Sequence, residues 1–280
     1  MSAPSGQLFR IAAFTTTPTG GNPAGVWVGD LLPEPEEMLR IAREVGFSET
    51  AFVVPTTGSA RTIRFYSALA EVTFCGHATI ATGVVLGELS GDGRYLLSTM
   101  AGDVPVTVQS LGDLREASLT SVEPSHLLAE DDLVDEVLAT LGWTSDELDT
   151  DLPPARAYAG AWHLIIAADT QARLDDLSYD FEALKAVMER EHLTTIQLVW
   201  RESADCFHAR DPFPVGGVVE DPATGAAAAA LGGYLRDAGL VRAPTRISIR
   251  QGEAMGRPSL LAVEIPEHGG IIVTGTAVHL

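Results

Sequence analysis

Three hydrophobic patterns recur along this chain. The first is short and strand-like. Residues 8–14, 24–28, 62–66, 95–99, 104–108, 194–200, 246–250 and 259–265 are rich in β-formers or alternate between apolar and polar positions, and each predicts a strand. Residues 157–167 read as one further strand, with Trp162-His163 as packing rather than chemistry, 204–208 as another, and 271–279 as a last one. The second pattern is amphipathic and helical, at 35–45, 131–141 and 179–192. In the first of these, Met38, Leu39, Ile41, Ala42 and Val45 form the apolar stripe, and Gly46 supplies the stop. The third pattern is apolar all round and built from small residues. It follows Cys75-Gly76-His77-Ala78-Thr79, and again Glu220-Asp221-Pro222-Ala223-Thr224-Gly225, where the run Ala226 to Ala230 leads into Leu231-Gly232-Gly233-Tyr234-Leu235.

A helix with no polar face fits inside a jacket of strands. Both such segments, predicted as helices over 78–89 and 226–238, have a strand upstream and a strand pair downstream. Strand, loop, buried helix and hairpin therefore occur twice, which reads as an internal duplication. It divides the chain into a domain over 1–120 and another over 121–270, with 118–125 as the crossover and the strand within 271–280 able to return to the first. Two related domains place two helix N-termini face to face across a cleft.

Those N-termini carry the candidate chemistry. Free backbone N–H groups and the helix dipole favour an anion there, and Thr224 is placed to cap the second helix. An ordinary buried helix with an acidic cap is the plainer alternative. Glu49 interrupts the apolar segment Phe47 to Val54. It is either a surface carboxylate or, crowded by Phe47, Ala51, Phe52 and Val53, a carboxyl of raised pKa suited to general acid–base work. Gly20-Gly21-Asn22-Pro23 is a turn, or a turn that presents the Asn22 amide to a ligand.

Composition narrows the chemistry. The 280 residues carry a formal charge of −20, which disfavours nucleic acid and anionic membrane as partners. No apolar run approaches the ~20 residues of a membrane span, and the first ten residues lack a secretory pattern. Two cysteines without a framework suit a reducing cytoplasm. There is no Gly-x-Gly-x-x-Gly, Walker loop or Gly-x-Ser-x-Gly elbow. The one lysine, Lys185, lies on the polar side of a helix, which argues against a pyridoxal Schiff base. Cys75-Gly76-His77 and Cys206-Phe207-His208 together offer four zinc ligands, but the one-residue spacing is not that of a zinc knuckle. No metal and no cofactor is expected. What remains is acid–base chemistry by Glu49, His77 and Asp221.

At this point the chain resembles the PhzF (phenazine biosynthesis F) family of isomerases, which share the diaminopimelate epimerase fold. The similarity runs through Gly21-Asn22-Pro23-Ala24-Gly25-Val26, Ser48-Glu49-Thr50-Ala51-Phe52-Val53, Cys75-Gly76-His77-Ala78-Thr79, Glu220-Asp221-Pro222-Ala223-Thr224-Gly225, and Gln251-Gly252 with Met255-Gly256-Arg257-Pro258-Ser259. The resemblance implies an α/β (α+β) protein of two pseudo-symmetric epimerase-like domains, each a curved mixed β-sheet or barrel around a central helix, with the site between them. It implies a cytoplasmic, cofactor-independent homodimer that moves a proton within a small unsaturated carboxylic acid, in a biosynthetic pathway of secondary metabolism. Its catalytic glutamate falls on Glu49, with His77 and Asp221 in support. Substrate contacts are expected at Asn22, Ser48, Gly76, Ala78, Gly225 and Ala226. Two positions depart from the family pattern. Ala226 stands where serine is common, or cysteine in racemising relatives, and Pro212 replaces a phenylalanine in Arg210-Asp211-Pro212-Phe213-Pro214. An amino-acid epimerase or racemase and a non-catalytic acid-binding protein are the alternatives.

Overall fold

The computed structural model describes residues 5–280. It divides into two compact units, residues 5–120 with Val273–Leu280, and Ser121–Ile272. In the first, the strands are β1 (Gly6–Ala13), β2 (Asn22–Gly29), β3 (Glu49–Pro55), β4 (Ala60–Tyr66), β5 (Glu71–Val72), β6 (Gly93–Thr99), β7 (Gly102–Leu111) and β8 (Leu114–Thr120). The helices are α1 (Pro35–Val45) and α2 (Gly76–Ser90). β1 and β2 are antiparallel, β2 and β3 parallel, β3 and β4 antiparallel, β4 and β6 parallel, and β6, β7 and β8 follow as antiparallel neighbours. The last strand of the chain, Ile272–His279, pairs with both β8 and β1 and closes the ring into a barrel.

Each parallel pair needs a helical crossover, and the two crossovers take opposite sides of the sheet. α1 is amphipathic and lies outside, where Met38 and Ala42 pack with Trp27, Phe52, Val54 and Tyr66. α2 has no polar face, and every residue from Gly76 to Gly87 is buried. It packs against β1, β2, β3, β7 and β8, so it fills the barrel. The fit is close. A Cβ on Gly83 would lie 2.8 Å from the Ala117 Cβ and 3.0 Å from Val106 Cγ1.

The second unit repeats the pairing order. Its strands are β9 (Ser125–Leu128), β10 (Ala155–Tyr158), β11 (Trp162–Ala167), β12 (Thr195–Arg201), β13 (Cys206–Pro212), β14 (Glu220–Asp221), β15 (Thr245–Gln251) and β16 (Ser259–Ile265). Antiparallel β10–β11, parallel β11–β12, antiparallel β12–β13, parallel β13–β15 and antiparallel β15–β16 reproduce the sequence from β1 to β7. The helices are α3 (Asp131–Leu141), α4 (Gln171–Asp175), α5 (Phe181–Arg190) and α6 (Gly225–Asp237). α6 is the counterpart of α2. It is buried from Gly225 to Leu235 and packs on β9, β10, β11 and β16. The amphipathic α3 and α5 cover the other face, with Val137, Leu184 and Met188 against Leu164, Ile166, Ile196 and Leu198.

Three expectations change. Residues 157–167 are not one strand but the hairpin β10–β11, folded at Gly160, whose φ of 115° is open only to glycine without strain. The connection ending near 125 contributes a strand of its own, β9. Thr224 does not cap α6 through its side chain; its hydroxyl donates instead to Asp221 Oδ2 at 2.7 Å.

The packing of α2 generates a prediction. A glycine in a helix normally gains stability on gaining a side chain. At Gly83 the contacts with Ala117 and Val106 reverse that. Gly83→Val should lower the unfolding free energy by about 1–3 kcal/mol through overpacking, read from urea denaturation, whereas Ser90→Ala at the exposed end of α2 should change it by less than about 0.5 kcal/mol.

Candidate active site

Glu49 opens β3, and the alternation of the strand decides where it points. Phe52 and Val54 pack on α1 outside the barrel. Glu49, Ala51 and Val53 share the opposite face, toward α2, and all three are buried. The α2 N-terminus brings the rest. Cys75 is the residue before the first helical turn, and His77 is its second residue. Asn22 opens β2, which runs parallel to β3 with Ala24 opposite Glu49. Gly21 holds it there. Its φ of 69° and the 2.4 Å that would separate a Cβ from the Ala13 carbonyl oxygen require a glycine.

These placements assemble a buried polar group. The Asn22 amide donates to His77 Nδ1 at 3.0 Å. The neutral ring then carries its proton on Nε2, which faces Glu49 Oε2 at 3.5 Å and Ser48 Oγ at 3.4 Å. Cys75 Sγ lies 3.4 Å from Nδ1. Burial pushes the Glu49 carboxyl above its ordinary value, and hydrogen bonds from Ser48 and Cys75 offset part of that rise. Burial pulls His77 down to about 3. The Glu49–His77 contact is therefore a hydrogen-bonding approach between a carboxyl and a neutral imidazole, not a salt bridge. A carboxyl whose pKa burial has raised in this way is suited both to accept and to return a proton. The first-turn amides of α2, at Gly76, His77 and Ala78, have no carbonyl one turn back to bond to.

In the second unit Asp221 ends β14 and is buried. It accepts from the Thr224 hydroxyl, and Gln251 locks the turn around it. Gln251 Nε2 donates to the Asp221 carbonyl at 2.8 Å and to Thr224 Oγ1 at 3.0 Å, while its Oε1 accepts from Thr224 N at 3.1 Å. Gly225 and Ala226 form the first turn of α6 beside this lock. Glu220 is held by the Arg210 guanidinium through bonds of 3.0 and 2.6 Å. Asp211 lies across β13–β14 from Asp221. Burial, together with the Asp221 and Glu220 charges, drives its carboxyl well above the ordinary value.

Of the residues expected from the sequence, the first unit brings Glu49, His77, Asn22 and Ser48 together, with Gly76 and Ala78 in the first turn of α2, and the second brings together Asp221, Gly225 and Ala226. Sequence reasoning gave Gln251 no role, though its place in a motif-like Gln-Gly pair was the available signal. It read His163 as packing. His163 is buried, but its Nδ1 bonds Thr195 Oγ1 at 2.8 Å, and that hydroxyl donates to Asp211 at 2.9 Å. The two Cys-x-His pairs, weighed as a shared zinc set and set aside, do not form one group. Each pair groups with a carboxylate of its own unit, as Glu49, Cys75 and His77, and as Glu202, Cys206 and His208, with donor atoms within 4.8 Å of one another.

Comparison with known proteins follows the same outline. The profile of the PhzC-PhzF family, described as phenazine biosynthesis-like protein, matches residues 11–280. The chain is 31% identical to the "uncharacterized isomerase YddE" of Escherichia coli (strain K12), over 98% of this chain and 96% of that one. It is 31% identical to the trans-2,3-dihydro-3-hydroxyanthranilate isomerase of Pseudomonas fluorescens, over 90% of this chain and 87% of that one. The solved structure of a predicted epimerase from Pseudomonas aeruginosa superposes with a TM-score of 0.86 at 22% identity, covering 99% of this chain and 97% of that chain, and shares the fold. No helix among the described residues is long and apolar enough to cross a membrane.

The two buried groups give opposite pH signs. The folded pKa of His77 is depressed, so its contribution to stability is complete above 6.5 and is lost as pH falls toward about 3. The folded pKa of Glu49 is raised, so its contribution is present below 4.5 and is lost as pH climbs through the folded value. Glu49→Gln should therefore be more stable than wild type at alkaline pH and lose that advantage below 4.5. The advantage of wild type over His77→Asn should shrink as pH is lowered from 6.5 toward 3. Urea midpoints across pH measure both differences.

Proposed function

Because the chain belongs to the PhzC-PhzF family of phenazine biosynthesis-like proteins, we propose that this isomerase moves a proton within a small unsaturated carboxylic acid, without a cofactor, as one step of a biosynthetic pathway. The observation that carries the reading is the buried Glu49 carboxyl, raised in pKa and held between Ser48, Cys75 and a neutral His77. As carboxylate, Glu49 takes a proton from a carbon next to the conjugated system. The C–H electron pair becomes a new π bond, the existing double bond shifts, and Glu49 returns the proton to the carbon at the far end. The proton count is unchanged and nothing is oxidised.

His77 steadies the charge on Glu49 through its Nε2 proton, with Asn22 fixing the tautomer. The first-turn amides at Gly76 and Ala78, and those at Gly225 and Ala226, are the proposed seats for the substrate carboxylate, since a helix N-terminus favours an anion. Asp221 acts as the second carboxylate, oriented by Thr224 and Gln251. The trans-2,3-dihydro-3-hydroxyanthranilate named for the Pseudomonas fluorescens relative belongs to this substrate class. The reading includes a homodimer in a reducing cytoplasm, the compartment being supported by two unbridged thiols, Cys75 and Cys206. A two-thiol racemase is less well supported. Ala226 offers no thiol at the start of α6, and Cys206 sits on β13 with Glu202 and His208.

Deuterium uptake from solvent into trans-2,3-dihydro-3-hydroxyanthranilate and a panel of small unsaturated acids tests the proposal. Glu49→Gln should slow exchange by at least ~10²–10⁴-fold, the usual contribution of a general acid–base group. Cys75→Ser should cost much less, and a chelator should leave the rate unchanged. An active Glu49→Gln beside a dead Cys75→Ser would make the thiol the proton carrier and defeat the mechanism.

A further inference from the structure

A second constellation of reactive side chains lies in the other unit and takes no part in the chemistry above. Cys206 and His208 are two residues apart on β13, so both side chains leave the same face of the strand, roughly 6.6 Å apart along it. Glu202 follows β12 in the turn that leads back to β13. Its N–H donates to the Cys206 carbonyl at 3.0 Å, which folds the turn over that face. One oxygen, Glu202 Oε2, then meets both partners. Cys206 Sγ is 3.1 Å from it, and His208 Nε2 is also 3.1 Å from it. A thiol, an imidazole nitrogen and a carboxylate oxygen thus converge on one point.

The surroundings are those of a ligand set rather than of a chance surface contact. The second ring nitrogen of His208, Nδ1, faces Glu253 Oε2 at 3.4 Å. A carboxylate on the far nitrogen of a ligating histidine fixes its tautomer and increases its basicity. The Trp200 ring packs on the imidazole with centroids 5.2 Å apart and restrains its rotation. His208 is buried, while Glu202 is exposed, so the cluster is open to solvent on one side.

We propose that Cys206, His208 and Glu202 form a binding site for a divalent transition-metal ion of the zinc class, with solvent in the fourth position and Glu253 as the carboxylate behind the histidine. The mixed sulfur, nitrogen and oxygen donors suit such an ion and not magnesium or calcium. Bonds of about 2.0–2.3 Å at tetrahedral angles place ligand atoms about 3.3–3.7 Å apart. The two 3.1 Å edges reach that spacing with a few tenths of an ångström of adjustment. Binding displaces the Cys206 thiol proton to solvent. The thiolate and Glu202 then neutralise the two positive charges of the ion. Arg250, whose Nη1 is 3.6 Å from Glu202 Oε2, is half exposed. The bound ion clasps the 202–206 turn to β13 and, through Glu253, to the 3₁₀ turn Glu253–Met255.

Titration of the purified full-length protein with Co²⁺ tests this, because a cobalt–thiolate bond gives a near-ultraviolet charge-transfer band that no nitrogen or oxygen site produces. Wild type should bind one equivalent and show the band, and Zn²⁺ should displace it. Cys206→Ser should lose the band while keeping its far-ultraviolet circular dichroism, and Cys75→Ser should retain it. Glu253→Gln should keep the band and weaken binding ~10–100-fold, as removal of an outer-shell carboxylate does. Absence of the band in wild type at millimolar Co²⁺ would overturn the proposal. So would a band that survives Cys206→Ser and disappears in Cys75→Ser, since the ion would then sit with Glu49 and His77.

Discussion

A helix without a polar face has to be surrounded, and that requirement organises each unit. α2 and α6 expose almost nothing along most of their length. Their alanines and glycines contribute little apolar area each, so the gain comes from how closely strands approach on every side. Gly83 beside Ala117 and Val106, and Gly232 with Val263 and Ile271 each 3.0 Å from its missing Cβ, show that the strand walls leave no room for larger side chains. The amphipathic helices solve the ordinary problem of covering one face. The apolar ones close a ring of strands around themselves.

Burying a helix this way also buries its N-terminus, and there the apolar logic becomes electrostatic. The first-turn amides of α2 lie in a low-dielectric setting, where a charge-assisted hydrogen bond is strong and an unpaired polar group is costly. Glu49 and His77 answer by shifting in opposite directions, the carboxyl toward its protonated form and the imidazole toward its neutral one. Neither shift needs a charged partner, because burial is the largest cause of both. The second unit meets the same condition with a lock of neutral donors. Gln251 and Thr224 satisfy the turn around Asp221, and Asp211 carries the raised pKa.

The internal repeat was legible because it is written in periodicity. Helix α1 begins and ends where its apolar stripe and glycine stop place it, α3 covers the amphipathic stretch predicted for it, and α2 and α6 stand out by the lack of any stripe. Glu49 was legible as an acid inside an apolar strand. What was not legible followed from contacts remote in sequence. The hairpin at Gly160 looked like one strand, because a positive φ leaves no mark beyond the glycine itself. Thr224 looked like a helix cap, since its preference for Asp221 depends on the position of Gln251 twenty-seven residues on. His163 looked like packing, because its partners on β12 and β13 are strands away in the chain.

The sequence by itself determined the elements, the duplication and the residue types able to move a proton. Those properties depend on neighbours within a few positions: side-chain volume, apolar period, turn chemistry. The tertiary structure alone decided the state of each group. Glu49 becomes a carboxyl of raised pKa because strand parity turns it toward α2, and His77 becomes a neutral donor because Asn22, fifty-five residues away, occupies its Nδ1. The same holds for Cys206 and His208. Their alternation on a strand is trivial in the sequence, and only the turn that brings Glu202 over them, with Glu253 behind, makes three donors converge. Protonation and ligation depend on what stands within about 4 Å of an atom, and that distance is set by the fold.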